Sequence, residues 1–207
     1  NGTTLQTWVR SDPAAIDADG DGLTDFQERS FGFNPRVIND PNVLRYSSQA
    51  REANAPIGLW RFEETSGATL FSDVSGGINN GVCTGDACPV AGHDGRYGTG
   101  LIFDGGDDAL NAGRAITISN ASFTVAFWAK RNAIGGQNRF AIGEGTNSAN
   151  QGLQLGFRSN NAFTCAFYGN DLDTPTTYTD QAWHHWACTY DATSKARNIY
   201  RDGVNVA

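Results

Sequence analysis

The sequence contains no methionine among its 207 residues, and it has no cluster of basic residues and no long apolar run. Because methionine is missing even at position 1, we expect a mature or excised piece of a protein. Nucleic acid is not expected as a partner, since binding phosphates requires a basic patch and this chain carries a formal charge of −7. A membrane helix needs roughly 20 consecutive apolar residues. No segment approaches that length, so no membrane span is expected.

Glutamate is also scarce, since 17 of the 22 acidic residues are Asp and five are Glu. Helices favour Glu, whereas Asp in glycine-rich loops suits turns and hard cations such as calcium. Retaining hydrolysis of a glycosidic bond requires two carboxylates about 5 Å apart. None of the Glu residues lies in such a pair, and Glu63 and Glu64 are expected to point to opposite faces. With no nucleophile elbow or zincin motif either, the sequence predicts that the protein is not an enzyme.

Period-two alternation marks the regular structure, and it is clearest in residues 122–131, SFTVAFWAKR. Phe123, Val125 and Phe127 form one face, which we expect to be core. The same alternation predicts strands at 57–63, 151–158, 162–168, 183–190 and 195–201. Gly, Asn, Asp and Ser clusters separate them, which is typical of turns. The pattern predicts an all-β fold, a two-sheet antiparallel sandwich preceded by a small N-terminal segment.

Residues 17–28, DADGDGLTDFQE, carry the strongest chemical motif in the chain. Carboxylates stand at positions 1, 3, 5, 9 and 12 of a twelve-residue calcium loop, with Gly22 at position 6 for the sharp turn. The residue at position 7 offers its backbone carbonyl. The predicted calcium ligands are Asp17, Asp19, Asp21, Leu23, Asp25 and Glu28.

An EF-hand would also need a helix entering this loop, and Pro13 followed by three residues cannot form one. Residues 15–42 instead resemble a single thrombospondin type 3 repeat, which implies a calcium-stiffened spacer. Close carboxylates repel one another until a divalent ion neutralises them, so we expect the segment to be loose without metal and ordered with it. We place a domain boundary after this segment and assign residues 1–56 to an N-terminal domain.

Residues 57–207 contain a series of motifs in a fixed order: WRFEE, DVSGGINNG, GLIFDGGDDAL, FTVAFWAKR, AWHHWACTYD and IYRDGV. This order resembles the laminin G-like jelly rolls of the concanavalin A-like lectin and glucanase superfamily. The resemblance implies a two-sheet antiparallel jelly roll, an extracellular binding module and, in many members, calcium at one rim. Family members continue through further strands beyond the last motif. We therefore expect either that the piece was cut from a longer protein or that a second chain or segment completes the jelly roll.

The resemblance also implies a second calcium site. Asp73 matches the loop Asp of the DxSG pattern, and Asn80 precedes the Gly that closes the same loop. Asp104 matches the Asp of the FDG motif, and Asp107 or Asp108 matches the acidic pair that follows it. The alternative is that these Asp residues are structural parts of glycine-rich turns.

The four cysteines form two plausible pairs, which is typical of extracellular chains. Cys83 and Cys88 are spaced to close a tight loop, and Cys165 and Cys188 lie within two alternating runs where a cross-strand bridge is expected. The alternative for both pairs is buried thiols. A cysteine metal site is not favoured, because no other soft ligand is spaced nearby.

Two adjacent histidines, His184 and His185, are expected to point to opposite faces of their strand, one packed and one exposed, so they cannot share a metal ion. Several aromatic residues have faces that suit either a sugar platform or core packing. They are Trp60, Trp128, Trp183, Trp186, Tyr168 and Tyr178.

Together these features predict a secreted or cell-surface, non-catalytic module with Ca²⁺ as its cofactor, which binds a glycan or an extracellular protein. The alternative is a purely structural spacer and scaffold segment of a large bacterial surface protein or multidomain enzyme. The sequence names no ligand-binding residue.

Overall fold

The computed structural model describes residues 56–75, 79–112, 116 and 118–207, together with the single residue 18. The chain divides into two compact units, Asn1–Ile116 and Thr117–Ala207. Within the described residues the regular structure is strands in antiparallel sheets, and the helical structure is one 3₁₀ turn at Gly85–Ala87. The predicted all-β class is therefore confirmed, and the architecture is that of a β-sandwich jelly roll. The predicted boundary between residues 56 and 57 stays a prediction.

The first unit contains four short strands. They are β1 (Leu70–Phe71), β2 (Gly81–Val82), β3 (Val90–Asp94) and β4 (Thr99–Ile102). β1 pairs with β2 and β3 with β4, both antiparallel. Phe71, Cys83 and Ala91 form the buried core of this unit. The two small sheets thus share one apolar centre.

The second unit contains eight strands. They are β5 (Phe123–Ala129), β6 (Arg139–Gly145), β7 (Gly152–Phe157), β8 (Ala162–Phe167), β9 (Asp171–Thr177), β10 (His184–Tyr190), β11 (Arg197–Arg201) and β12 (Val204–Asn205). They form two four-stranded sheets, with the orders β12-β11-β10-β5 and β6-β7-β8-β9. Every pair within these sheets is antiparallel.

A single apolar core joins the inner faces of these two sheets. Trp186 of β10 is 1 % exposed and stacks on Phe163 of β8, with ring centroids 4.1 Å apart and planes 4° from parallel. Phe157 of β7 meets both rings edge-on, at 5.2 and 5.4 Å. Large aromatic side chains bury the most apolar area, so this three-ring cluster is the centre of the sandwich.

Both predicted disulfides are formed. Cys83 and Cys88 have Cα atoms 5.1 Å apart, and Cys165 and Cys188 have Cα atoms 6.2 Å apart. Cys165 lies in β8 and Cys188 in β10, which belong to different sheets. The predicted bridge between these two strands is confirmed, and it connects the two layers of the sandwich.

The strand predictions for the second unit are confirmed with ends shifted by a few residues, and the face of β5 that includes Phe123, Val125 and Phe127 packs against the core. The prediction for residues 57–63 is wrong. Trp60 forms only an isolated bridge with Asp73. Phe62 has a φ of 60°, in the left-handed region that interrupts an extended strand.

No helix long and apolar enough to span a membrane occurs among the described residues.

Candidate functional site

The predicted calcium ligands of the N-terminal segment, Asp17, Asp19, Asp21, Leu23, Asp25 and Glu28, lie outside the described residues. The calcium loop and its likeness to a thrombospondin repeat therefore stay predictions. The described candidate residues are in two loops of the first unit, one centred on Asp73 and one that follows β4.

Asp73 organises its own loop. Its Oδ1 accepts hydrogen bonds from the backbone N–H groups of Leu59 and Ser75, both at 2.9 Å, and its Oδ2 accepts one from the N–H of Asn79 at 2.9 Å. The backbone N–H of Asp73 in turn donates to Oδ1 of Asn80 at 2.9 Å. Both carboxylate oxygens thus satisfy buried or half-buried amides, which is a structural role for this residue.

These hydrogen bonds change the acidity of the carboxyl group. Partial burial alone would raise the pKa of Asp73, because it disfavours the charged form. The hydrogen bonds from Ser75, Leu59 and Asn79 outweigh burial and lower the pKa from 3.8 to about 2. Asp73 is therefore ionised, and bound to its loop, at any neutral or mildly acidic pH.

The second loop presents three carboxylates together. Asp104, Asp107 and Asp108 each place one carboxylate oxygen so that the three oxygens lie within 4.8 Å of one another. Asp104 and Asp107 are exposed and Asp108 is half-buried. We call these three residues the acidic rim. It is the only such group of potential metal ligands among the described residues.

Hydrogen bonds shape the acidic rim from within. Oδ2 of Asp108 accepts from the backbone N–H of Asp104 at 2.7 Å, and Oδ1 of Asp104 accepts from the N–H of Gly106 at 2.7 Å. These bonds curl the loop so that its acidic side chains converge. They also leave a second oxygen on each of the two carboxylates for another partner.

The Cys83–Cys88 loop supports the acidic rim from outside. Ala87, inside the disulfide ring, accepts a backbone hydrogen bond from the N–H of Ala109 at 3.1 Å. Asn111 and Val82 exchange a pair of backbone hydrogen bonds at 2.8 and 2.9 Å. The segment that carries the three Asp residues is therefore attached, at its C-terminal end, to a covalently closed loop.

The donor chemistry of the acidic rim fits a hard divalent cation. Calcium takes oxygen ligands at 2.3–2.6 Å, so oxygens that bind one ion lie within roughly 5 Å of one another, as they do here. Of the residues predicted for a second site, the structure brings together Asp104 and both members of the acidic pair, Asp107 and Asp108. Asp73 and Asn80 are joined to each other in their own loop and do not belong to this group.

The glutamates differ from the expectation that they point to opposite faces. Glu63 and Glu64 line one cleft of about 270 Å³ together with Arg61, Ser72 and Val74. Each is nevertheless held by a different partner, since Glu63 accepts from the N–H and hydroxyl of Thr99 and Glu64 accepts from the N–H of Ser72. The segment is not a strand, so the alternation of faces does not apply to it.

Most of the candidate platform aromatics are not exposed. Trp186 and Tyr178 belong to the buried core of the second unit, and Trp60 and Trp183 are half-buried. Trp128 is half-buried with its ring 5.4 Å from that of His185. Tyr168 is the most exposed member of the set, at 39 %. Core packing thus accounts for much of the aromatic content.

The two histidines lie on opposite faces, as predicted, but both are half-buried, so neither is the exposed imidazole that was expected. His185 is on the outer face beside Trp128, and burial lowers its pKa below the usual range. His184 is half-buried and contacts Asp180 and Asp202 through its two ring nitrogens. No motif of the sequence predicted this cluster. The available signal was the Asp-Gly pair at 202–203, which is typical of a tight hairpin turn that would face the start of β10.

Comparison with family models matches residues 104–207 to a laminin G-type family described as the concanavalin A-like lectin/glucanases superfamily. The match covers half of the chain and includes the acidic rim and all strands from β5 to β12. The chain belongs to this family. Comparisons with curated proteins and with solved structures find no significant match. Laminin G-like and lectin-type domains are binding modules and are generally non-catalytic, and together with two disulfides they are typical of extracellular proteins.

Proposed function

We propose that this protein is a non-catalytic, extracellular binding module that recognises a glycan or another protein on a calcium-stabilised scaffold. The observation that carries the proposal is its membership of the concanavalin A-like lectin/glucanases superfamily. The acidic rim supports it, because three converging carboxylates offer the oxygen ligands that calcium prefers.

Calcium would be held at the acidic rim by Asp104, Asp107 and Asp108, and in the N-terminal segment by the loop at residues 17–28. A bound ion would neutralise carboxylates that otherwise repel one another, and this would fix the loops. The protein's own contribution at the rim is the curled backbone, which the N–H groups of Asp104 and Gly106 hold in place. No bond is made or broken in this function.

The expected location is the cell surface or the outside of the cell. Two disulfides in a chain of 207 residues favour an oxidising compartment.

Calorimetric titration of calcium into chelator-stripped protein tests the metal. Asp107→Asn is the sharpest rim variant, because the loop's internal hydrogen bonds use Asp104 and Asp108. Glu28→Ala tests the N-terminal loop separately, and Asp86→Asn, in the exposed 3₁₀ turn, is the control. We expect two classes of ion, each lost with its own variant. Titrations in which both variants bind calcium like the unmodified protein would overturn the proposed sites.

A glycan array, read with and without chelator, tests recognition. We expect hits that disappear when calcium is removed. A silent array combined with metal-dependent melting would instead favour the structural spacer. Hydrolysis of any glycan by the purified chain, abolished by changing Glu63 or Glu64, would contradict the non-catalytic assignment.

A further inference from the structure

The short turn between β8 and β9 carries an exposed tyrosine. Tyr168, Gly169 and Asn170 connect Phe167, which ends β8, to Asp171, which begins β9. Tyr168 is 39 % exposed. Within the described part of the chain, its phenol group makes no hydrogen bond and no contact with another ring. No specific partner inside the fold therefore accounts for this side chain.

The backbone of Tyr168 is in a conformation that a large side chain disfavours. Its φ is 31°, in the left-handed region, where Gly and Asn are the usual residues. Gly169 follows with a φ of 73°, so the next position of the turn already has a residue suited to that region. Strained residues persist where the surrounding structure holds them, and they cluster at binding sites. A tyrosine at this position therefore indicates contact with a ligand.

Two asparagines are held against the same turn. The backbone N–H of Asn150, in the loop between β6 and β7, donates to the carbonyls of Phe167 and Tyr168 at 2.9 and 3.1 Å. Nδ2 of Asn170 donates to Oδ1 of Asn150 at 2.6 Å. Arg197 of β11 donates to the carbonyl and to Oδ1 of Asn170, at 2.8 and 3.1 Å. These hydrogen bonds fix both amide side chains without a ligand.

The two amides keep hydrogen-bonding groups that the fold does not use. An asparagine amide carries two donors and an oxygen with two lone pairs. Among the described residues, Nδ2 of Asn150 donates to no partner, and Nδ2 of Asn170 uses one of its two hydrogens. Oδ1 of each residue accepts one hydrogen bond. Both asparagines are exposed, so the turn presents unused donors and acceptors beside an exposed aromatic residue.

We propose that Tyr168, Asn150 and Asn170 form a binding site for a neutral pyranose sugar. An aromatic ring presents a flat apolar surface with a polar edge, which suits the C–H face of a sugar ring. Hydroxyl groups both donate and accept hydrogen bonds, which suits the mixed donors and acceptors of the two amides. This site depends on the proposed binding function, of which it specifies the ligand class and the place of contact.

The charge of the site favours a neutral sugar over an acidic one. The phenol and the two amides are uncharged, and both Nη atoms of Arg197 already donate to Asn170. Asp171, the next residue along the chain, is an exposed carboxylate. The whole chain carries a formal charge of −7, which repels anions. Sulfated and uronic-acid sugars should therefore bind more weakly than neutral ones.

Calorimetry and saturation-transfer NMR of the calcium-loaded protein test the site, with methyl glycosides of neutral hexoses and N-acetylhexosamines as probes. We expect Tyr168→Asn to weaken binding by about tenfold or more, because asparagine suits the backbone of the turn but removes the ring. Tyr168→Phe keeps the ring and should bind like the unmodified protein. Asn150→Asp keeps the acceptor for Asn170, loses the unused NH₂ group and should also bind more weakly.

Phe140→Ala is the control, because Phe140 of β6 is 38 % exposed and lies outside the turn. It should leave sugar binding unchanged, and melting curves check that each variant is folded. Binding that persists in Tyr168→Asn, or that Phe140→Ala reduces equally, would overturn the site and leave the proposed binding function in place. Tighter binding of sulfated or uronic-acid sugars would overturn it too. So would binding of none of the neutral probes, whereas the glycan array decides the proposed function separately.

Discussion

Asp73→Asn is the substitution whose effect follows most directly from the structure. The carboxylate accepts hydrogen bonds from the N–H groups of Leu59 and Ser75 through Oδ1 and from that of Asn79 through Oδ2. An asparagine can keep the first two bonds through its amide oxygen. Its NH₂ group would then face the N–H of Asn79, so a donor would meet a donor. We expect the loop around Asp73 to lose its charge-assisted hydrogen bonds and the first unit to be destabilised.

The magnitude follows from the acidity of the carboxyl group. A pKa lowered from 3.8 to about 2 corresponds, at 1.36 kcal/mol per pKa unit, to at most about 2.5 kcal/mol of stabilisation by the charged form. The side chain is half-buried, so solvent screens part of this interaction. We therefore expect Asp73→Asn to lower the free energy of unfolding by about 1–2 kcal/mol at neutral pH.

The pH dependence has a definite sign. The pKa of Asp73 is lower in the folded state than in the unfolded state, so the unfolded state binds a proton more readily. The stabilisation is therefore fully present above about pH 4 and is lost as the pH falls towards about 2. In Asp73→Asn this part of the acid sensitivity should be missing, and the difference between the two proteins should shrink at low pH.

Urea unfolding at about pH 7 and about pH 3 measures both effects. With a slope of about 1–3 kcal/mol per molar urea, the variant's midpoint at neutral pH should fall by roughly 0.5–1.5 M. Asp86→Asn removes a carboxylate of the exposed 3₁₀ turn and serves as the control, with an expected change near zero. The reasoning would be refuted by an Asp73 variant as stable as the control at neutral pH, or by a deficit that grows on acidification.

Three further predictions concern the rim, the core and the sheet. Replacing Cys83 and Cys88 by Ser should lower the free energy of unfolding by about 2 kcal/mol, as measured by thermal melting. The same change should weaken calcium binding at the acidic rim, as measured by calorimetry. Unchanged calcium binding would show that the disulfide loop does not support the acidic rim. Trp186→Ala should cost about 3–5 kcal/mol in urea unfolding because the side chain is 1 % exposed. Gly156→Ala should lower the free energy of unfolding by about 3 kcal/mol, because a Cβ would collide with the backbone of β6. Gly143→Ala on the same sheet is the control and should be tolerated, because its Cβ would meet nothing closer than 3.8 Å.

Alternation of side chains predicts the second unit well because its strands are long and their inner faces are buried by one another. In β5, Phe123, Val125 and Phe127 face the core, while Thr124 and Ala126 are exposed. A one-residue slip would reverse both faces, so the pattern fixes the register as well as the strand. The alternating pattern predicts these strands correctly because the burial of one face of each strand is what produces the alternation.

The same rule fails in the first unit, where pairing and burial are not regular. Residues 57–63 alternate in sequence, but a left-handed residue at Phe62 and the hydrogen bond from Leu59 to a side chain replace the strand. Alternation also cannot show which sheet a strand joins. The bridge between Cys165 and Cys188 was predicted from two alternating runs, and the fold places those runs in opposite layers. These outcomes depend on contacts between distant segments.

The structure distinguishes the Asp residues that stabilise their own loop from those that could bind a metal ion, and the sequence motif alone could not. Asp73 stands in a loop with backbone N–H groups on three sides, so both of its oxygens are used within the fold. In the acidic rim, by contrast, one oxygen each of Asp104 and Asp108 accepts a backbone hydrogen bond, and Asp107 is exposed. A carboxylate oxygen that accepts no hydrogen bond from the protein is available to bind a cation. An aspartate in a glycine-rich turn is therefore a candidate metal ligand to the extent that its loop leaves an oxygen unused, and by this criterion the rim is the site to test.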